Sequence, residues 1–243
     1  MSKTDIAVLY KYRQIDMNTL SLLRSGRVWF AGRAQLNDPF DCYPELHQDI
    51  SDEELVKYFE SKTGHRLTEV QARTVLVESY NAMIDDSGVF CVSATPLNEL
   101  MWAHYAENHS GLAIGLGFTA DNHKLGALAE RVPNPITYSG RGRVKYSDII
   151  ASSDRETGLD ALRRVLSESY FRKNKSWEYE EEARFLSIDR TGLQDIGAEI
   201  SSVVFGLRCP IDHREIVTSV AGEGTKFQEV VLFKDQLVMK EIE

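Results

Sequence analysis

Apolar residues along the chain alternate between the spacing of strands and the spacing of helices. A short apolar and aromatic run at residues 6–13 predicts a first strand. Asp16 or Asn18 can cap the helix that follows, and Gly26 is a natural end for it. The next apolar run, at residues 27–31, predicts a second strand. The chain therefore opens with a strand, a helix and a strand.

The middle and the end of the chain continue this alternation. Ser51 and Glu54 have the spacing of a capping box, and a pair of helices over about residues 51–84 is predicted to form a lid or a side layer. The remaining predicted strands are 88–95, 111–118, 136–138, 144–146, 177–188, 200–206, 228–233 and 236–242. The remaining predicted helices are 98–108, 121–130, 154–174 and 210–220.

These elements predict one α+β domain over residues 1–243. Its central sheet is expected to be mixed and mostly antiparallel, with flanking helices and a helical insertion at about 51–84. The chain is long enough for a sizeable core, since 42% of its 243 residues are hydrophobic. No internal repeat, low-complexity segment or linker divides it.

Composition narrows the possible environments and partners. The formal net charge of −9 argues against a general nucleic-acid coat or a binder of anionic membranes. The longest apolar run, at about 111–118, is far too short to span a bilayer, and the N-terminus lacks the apolar region of a signal peptide. Three isolated cysteines and scattered histidines give no disulfide or metal-site pattern, so a cytoplasmic protein without a structural metal is expected.

The segment 177–188 is rich in carboxylates. Read as a strand, it places Glu180, Glu182 and Arg184 on one face. Burying such a face without partners is costly. The segment is therefore either a water-facing edge that holds an ion pair or one wall of a polar cleft.

Other polar residues stand at strand ends and in turns, and each has a structural alternative. Pro39 follows Asn37 and Asp38, which suits a fixed turn as well as a ligand loop. Core packing or backbone hydrogen bonding would equally explain the remaining candidates. These are Lys11, Tyr12 and Arg13 on the first strand, Ser93 and Thr95 after the third apolar run, and Trp102 and Tyr105 on the next helix.

The order of these motifs resembles a bacterial family known as domain of unknown function 2971. The resemblance covers nearly the whole chain. It rests on LYKYR at 9–13, the WF…LNDPFD block at 29–41, CVSAT with MWAHYAENHSGLAIGL at 91–116, WEYEEEARF at 177–185 and VVFGLRCP at 203–210. This family resemblance implies no particular reaction.

The same order of features is similar to ADP-ribosyltransferases of the Arg–Ser–Glu type. Arg13 on the first strand, Ser93 with Thr95, and Glu180 with Glu182 occupy the positions of that pattern. The resemblance implies an ADP-ribosyltransferase-like fold and NAD as co-substrate. Cleavage of the nicotinamide–ribose bond would be followed by transfer to an unknown protein, nucleic-acid or small-molecule acceptor. It also suggests a bacterial toxin or anti-phage role.

Arg184, Asn37 and Asp38 have no counterpart in the Arg–Ser–Glu pattern, but the chemistry of NAD cleavage suggests roles for the candidates. Glu182 would stabilise the positive charge that develops on the ribose, and Glu180 would orient or deprotonate the acceptor. Arg13 would hold a pyrophosphate oxygen and Arg184 would keep a glutamate ionised. The other binding candidates are Ser93 and Thr95 beside the ribose, one of Tyr12, Trp102 and Tyr105 stacked on a ring, and Lys11, Asn37 and Asp38.

Two other classes of function remain open. A metal-dependent nuclease or phosphoesterase would use Asp38, Asp41, Glu180 and Glu182 with Lys11 or Lys175, because divalent cations bind such carboxylates. A non-catalytic nucleotide-binding or regulatory module would use the glutamates only to pair with Arg13 or Arg184.

Overall fold

The computed structural model of the protein describes residues 7–118, 133–154, 156–188 and 190–242. Within these ranges the chain alternates strands and helices. The strands are β1 (Ala7–Arg13), β2 (Arg27–Phe30), β3 (Glu45–His47), β4 (Gly88–Ser93), β5 (Leu112–Phe118), β6 (Asn134–Pro135), β7 (Arg143–Lys145), β8 (Glu182–Ser187), β9 (Gly192–Asp195), β10 (Glu199–Phe205), β11 (Lys226–Phe233) and β12 (Gln236–Glu241). The α-helices are α1 (Met17–Ser25), α2 (Asp52–Thr63), α3 (Glu69–Asp86), α4 (Glu99–Tyr105), α5 (Tyr146–Ser152), α6 (Leu159–Tyr170) and α7 (Ile211–Val220), with 3₁₀ helices at Arg33–Gln35 and Lys175–Glu180.

Eight strands form one central sheet in the order β12-β11-β10-β5-β1-β4-β8-β6. Every neighbouring pair in it is antiparallel except β10 and β11, which are parallel. Two small ribbons, β2-β9 and β3-β7, lie beside it. The predicted α+β class, with a mixed and mostly antiparallel sheet flanked by helices, is confirmed.

The central sheet is split between β1 and β4. Strand β1 pairs along its whole length with β5, and β4 pairs along its whole length with β8, but β1 and β4 share only the pair Tyr10–Ser93. At the other end of the split, Ala31 pairs with Val89 of β4. A slot therefore opens between β1 and β4 and is closed at both ends by backbone pairing.

Each face of the sheet carries its own apolar core. On one face, Leu22 of α1 and Val217 of α7 pack against sheet residues such as Phe90 and Phe185. On the other face, helices α2, α3, α5 and α6 cover the β4–β8 half, and α4 covers the β1–β5–β10 half around Trp102. None of the helices in the described ranges is both long and apolar enough to cross a membrane.

The predicted helix ends are confirmed where capping groups define them. Asp16 accepts a hydrogen bond from the Thr19 amide at 2.7 Å, and Gly26 ends α1 with φ +68°. Ser51 and Glu54 form the predicted capping box of α2. The helices α2 and α3 lie in the predicted insertion and form a side layer.

The prediction of one helix over 154–174 is wrong in extent. Asp154 accepts hydrogen bonds from the amides of Glu156 and Thr157, and this turn delays the helix, so that α6 covers only Leu159–Tyr170. The strand predicted at 144–146 is confirmed as β7 at Arg143–Lys145, one residue earlier, because helix α5 begins at Tyr146. Strand β9 was not predicted, and the predicted helix over 121–130 lies outside the described residues.

The prediction of one strand over 177–188 is also wrong. Residues Lys175–Glu180 form a 3₁₀ helix, and Glu181 has a left-handed backbone with φ +43° before β8 begins at Glu182. The turn at Glu181 changes the direction of the chain, so Glu180 does not lie on the strand face that Glu182 and Arg184 share. Its side chain reaches the same cluster from outside the sheet.

Candidate functional site

A cavity of about 260 Å³ occupies the slot between β1 and β4. Both strands contribute backbone and side chains to its walls, and no residue of α2 or α3 lines it. The side chains that carry chemistry here come from six separate parts of the chain. They are Lys11 and Arg13, Trp29, Asn37 and Asp41, Cys91 and Ser93, and Tyr105 with Lys173, Glu180, Glu182 and Arg184.

Arg184 is the centre of a buried ionic cluster at the floor of this cavity. Its side chain is fully buried, and its guanidinium contacts Glu182 through Nε at 2.6 Å and Nη2 at 3.1 Å. Nη1 and Nη2 also donate to the two carboxylate oxygens of Asp41 at 2.8 and 2.5 Å. Two forked contacts of this kind fix both carboxylates in position and orientation.

Lys173 is the second cation of the cluster and is almost as deeply buried. Its ammonium lies 2.5 Å from Glu180 and 3.0 Å from Glu182, with Asp41 at 3.4 Å. The lysine thus joins Glu180, which precedes β8, to the glutamate at the start of that strand.

The cluster contains one more carboxylate than cation, since Asp41, Glu180 and Glu182 face Lys173 and Arg184. Burial alone would raise the pKa of Glu182, but Arg184 and Lys173 outweigh it and hold the pKa below its ordinary value. Burial dominates at Glu180 and raises its pKa, with Glu182 acting in the same direction and Lys173 against it. Glu182 therefore stays ionised, and Glu180 takes up a proton more readily than Glu182.

Tyr105 extends this network towards the mouth of the cavity. Its hydroxyl donates to Glu180 Oε1 at 2.5 Å and accepts from the side-chain nitrogen Nδ2 of Asn37 at 2.7 Å. Burial, followed by the neighbouring Glu180 carboxylate, raises the pKa of Tyr105. The phenol therefore stays protonated and keeps donating to Glu180.

The opposite wall of the cavity is cationic. Lys11 donates to the Cys91 carbonyl at 2.8 Å, across the slot, and its ammonium lies 5.0 Å from the centre of the Phe90 ring. Arg13 donates from Nε to Thr19 at 3.0 Å, and its Nη2 lies 3.9 Å from Asp16. A ligand in the cavity thus lies between this cationic wall and the glutamates.

Four predicted site residues have structural roles, and of these only Tyr12 lines the cavity. Tyr12 is buried, donates to the Thr95 carbonyl and packs edge-on against Trp102. Trp102 is fully buried and donates to a backbone carbonyl, so neither ring has a face free for stacking. Thr95 accepts from the Leu97 amide, and Asp38 accepts from the amide of residue 40. These four residues have the structural roles that the sequence left as alternatives.

The remaining predicted residues do converge. Lys11, Arg13, Asn37, Ser93, Tyr105, Glu180, Glu182 and Arg184 all line the cavity. Ser93 is buried, pairs with Glu182 across β4 and β8, and hydrogen-bonds within its own turn to the Thr95 carbonyl at 3.3 Å. Ser93 is therefore placed to support β8, the strand that begins at Glu182.

Sequence reasoning missed Lys173 and underrated Asp41 and Trp29. Lys173 stands in a basic run, which is usually solvated, and its pairing with three carboxylates depends on the turn before β8. Asp41 was considered only as a metal ligand. Trp29 is half exposed and lines the cavity, which makes it an accessible aromatic ring there.

The residues required for a metal-dependent nuclease are not arranged for that chemistry. Asp41, Glu180 and Glu182 already contact Lys173 or Arg184, Asp38 belongs to a turn, and Lys175 is exposed. Across residues 7–118, 133–154, 156–188 and 190–242, no group of three or more His, Cys, Asp or Glu side chains could hold a metal ion.

The comparison with known families gives one match. The sequence profile of the family described as "Protein of unknown function (DUF2971)" matches residues 101–185, the segment that contains Tyr105, Lys173, Glu180, Glu182 and Arg184. No curated protein and no solved structure matches the chain. Over residues 101–185, the match confirms the resemblance to this family that the sequence motifs indicate.

Proposed function

We propose that the slot between β1 and β4 is the active site of an ADP-ribosyltransferase-like enzyme. It would cleave the nicotinamide–ribose bond of NAD and transfer the ADP-ribose to an acceptor. The observation that carries the proposal is the convergence of Arg13, Ser93 and the Glu180–Glu182 pair on one cavity. In the sequence these residues lie far apart, in the order of the Arg–Ser–Glu pattern.

Glu182 has the properties required beside a ribose that develops positive charge. It accepts three hydrogen bonds from Arg184 and Lys173, and its carboxylate lines the cavity, where we propose that it meets a ribose hydroxyl. The cations keep it ionised, and its orientation is fixed before substrate arrives. A fixed negative charge stabilises an oxocarbenium-like transition state without reorganisation.

Glu180 suits the role of general base towards the acceptor. When the bond between ribose C1 and the nicotinamide nitrogen breaks, nicotinamide leaves with the bonding electrons. The acceptor oxygen or nitrogen then bonds to C1 and gives up a proton. A carboxylate with a raised pKa and a hydrogen bond from Tyr105 is placed to take up that proton.

The size and charge of the cavity fit one end of a dinucleotide. Ligand pockets commonly have volumes of roughly 300–1,000 Å³, and this cavity has about 260 Å³. We propose that it takes the nicotinamide riboside end, that Arg13 contacts the pyrophosphate, and that the adenosine end lies outside. Trp29, Tyr10 and Tyr105 line the cavity without being fully buried, and we propose that one of them stacks on a ring of the ligand.

The test is release of free nicotinamide from NAD by the purified protein, with and without cell extract as a source of acceptor. Glu182→Gln and Glu180→Gln should each reduce release by at least about 100-fold, since each would remove a charge or a base used in the transition state. Glu181→Gln is the matched control, because Glu181 is exposed between them. No release by the wild type, or equal release by all variants, would refute the proposal.

A nucleotide-binding module without turnover is the second candidate. The observation that favours it is the saturation of the cluster, in which every carboxylate already contacts a buried cation. Calorimetry with ADP-ribose separates the two candidates. Binding of ADP-ribose together with no nicotinamide release from NAD would indicate the module.

A further inference from the structure

Lys11 differs in its surroundings from Lys173, the other lysine of the cavity. Lys173 contacts three carboxylates, whereas none of the ion pairs in the described part of the chain includes Lys11. The Lys11 ammonium has one hydrogen bond, to the Cys91 carbonyl, and lies over the Phe90 ring. A carbonyl oxygen can also accept a hydrogen bond from a neutral amine, so this contact does not require the charged form.

The geometry points to Lys11 as a reactive amine that forms an imine with an aldehyde or ketone bound in the cavity. Its nitrogen lies at the cavity wall over an apolar ring, and the cationic Arg13 lies two residues further along the same strand. Desolvation and a neighbouring cation are the two arrangements that activate lysine nucleophiles. This inference concerns carbonyl compounds and is independent of NAD cleavage.

The charged groups around Lys11 act in both directions. Burial lowers the pKa of Lys11 and is the largest influence, and Arg13 on the same strand lowers it further. Cys91, Glu182 and Glu180 act against this. Their effect is limited, because burial raises the pKa of the Cys91 thiol to about 12 and keeps it uncharged, while Glu182 is already neutralised by Arg184 and Lys173.

The chemical step is balanced without any other reactant. The lone pair of the neutral amine attacks the carbonyl carbon and a carbon–nitrogen bond forms. The carbonyl oxygen gains two protons, both from the amine nitrogen through solvent exchange, and leaves as water when the carbon–nitrogen double bond forms. Each imine formed therefore releases one water molecule and can be hydrolysed again.

The test is reductive alkylation of the full chain with propionaldehyde and cyanoborohydride over a range of pH, with the rate at each lysine read by peptide mass spectrometry. The rate for Lys11 should reach half its plateau at a lower pH than the rate for the exposed Lys240. Arg13→Gln should move the Lys11 midpoint to higher pH and leave the Lys240 midpoint unchanged.

Thermal melting of Arg13→Gln establishes that the variant is folded, and the wild-type comparison of Lys11 with Lys240 needs no variant at all. A Lys11 midpoint at or above that of Lys240, or no labelling of Lys11, would overturn the inference. Nicotinamide release does not enter this measurement, so either proposal can fail while the other stands.

Discussion

Replacing Lys173 by methionine should destabilise the protein strongly, because it removes one of the two cations from a buried cluster. The side chain is 4% exposed and contacts Glu180 at 2.5 Å and Glu182 at 3.0 Å. Removing one partner of a buried ion pair typically costs about 3–5 kcal/mol, because the other charge remains buried and unpaired. For a chain of this size, such a loss lowers Tm by about 6–20 °C.

The stability lost in Lys173→Met should decrease as the pH falls. Without Lys173, the folded-state pKa values of Glu180 and Glu182 rise, so their ionised forms destabilise the fold. For an acid whose folded pKa is raised, this penalty is present above the folded pKa and is relieved as the pH falls and the group protonates. The deficit in free energy of unfolding should therefore be larger at pH 7 than at pH 5.

Urea denaturation followed by tryptophan fluorescence measures both effects, and Trp177, whose ring centre lies 4.9 Å from the Lys173 ammonium, reports locally. Lys175→Met is the matched control, since Lys175 is exposed two residues further on. Adding Glu180→Gln to Lys173→Met should recover part of the loss, because it restores the original charge balance. Equal stability of the two lysine variants, or a deficit that does not change with pH, would refute this description of the cluster.

Four smaller perturbations test other parts of the structure by urea or thermal unfolding. At pH 7, Glu180→Gln should change the free energy of unfolding by less than about 1 kcal/mol, since it removes the excess charge, whereas Glu182→Gln should cost about 3 kcal/mol because Arg184 loses a partner. A larger loss for Glu180→Gln would contradict this order. Ser51→Ala should cost about 1 kcal/mol through the lost cap of α2, and no change would argue against that cap. Gly111→Ala should cost about 1–3 kcal/mol, because its Cβ would overlap the backbone oxygen of Arg13, and a wild-type Tm would contradict that contact.

Local sequence signals predicted the elements whose ends are set by nearby residues. The cap at Asp16, the glycine that ends α1 and the capping box at Ser51 each act over three or four residues, and each is confirmed. The helix over 154–174 failed for the same local reason, since the Asp154 turn competes with helix at its start. Hydrophobic periodicity alone does not reveal that competition.

The candidate site could be predicted only in part, because its geometry depends on contacts between distant segments. The pairing of Glu182 with Arg184 follows from strand periodicity and was expected. The positions of Asp41 and Lys173 follow from the packing of a turn and a helix end against β8, and no local pattern indicates them. The exclusion of Trp102 from the site similarly depends on how α4 lies on the sheet.

The split of the sheet has a consequence for how the molecule opens. Strands β1 and β5 share seven backbone pairs and β4 and β8 share six, but a single pair, Tyr10–Ser93, joins the two halves. Amide hydrogen exchange detects the units of a protein that unfold cooperatively. The boundary between β1 and β4 is crossed by few backbone pairs, so it is a natural limit between two such units. The two halves should therefore exchange as two units. The amide of Ser93, at the boundary between them, should be less protected from exchange than the amides of β5. The two walls of the cavity, β1 and β4, then belong to separate units of exchange. A ligand that contacts both strands would join these two units into one.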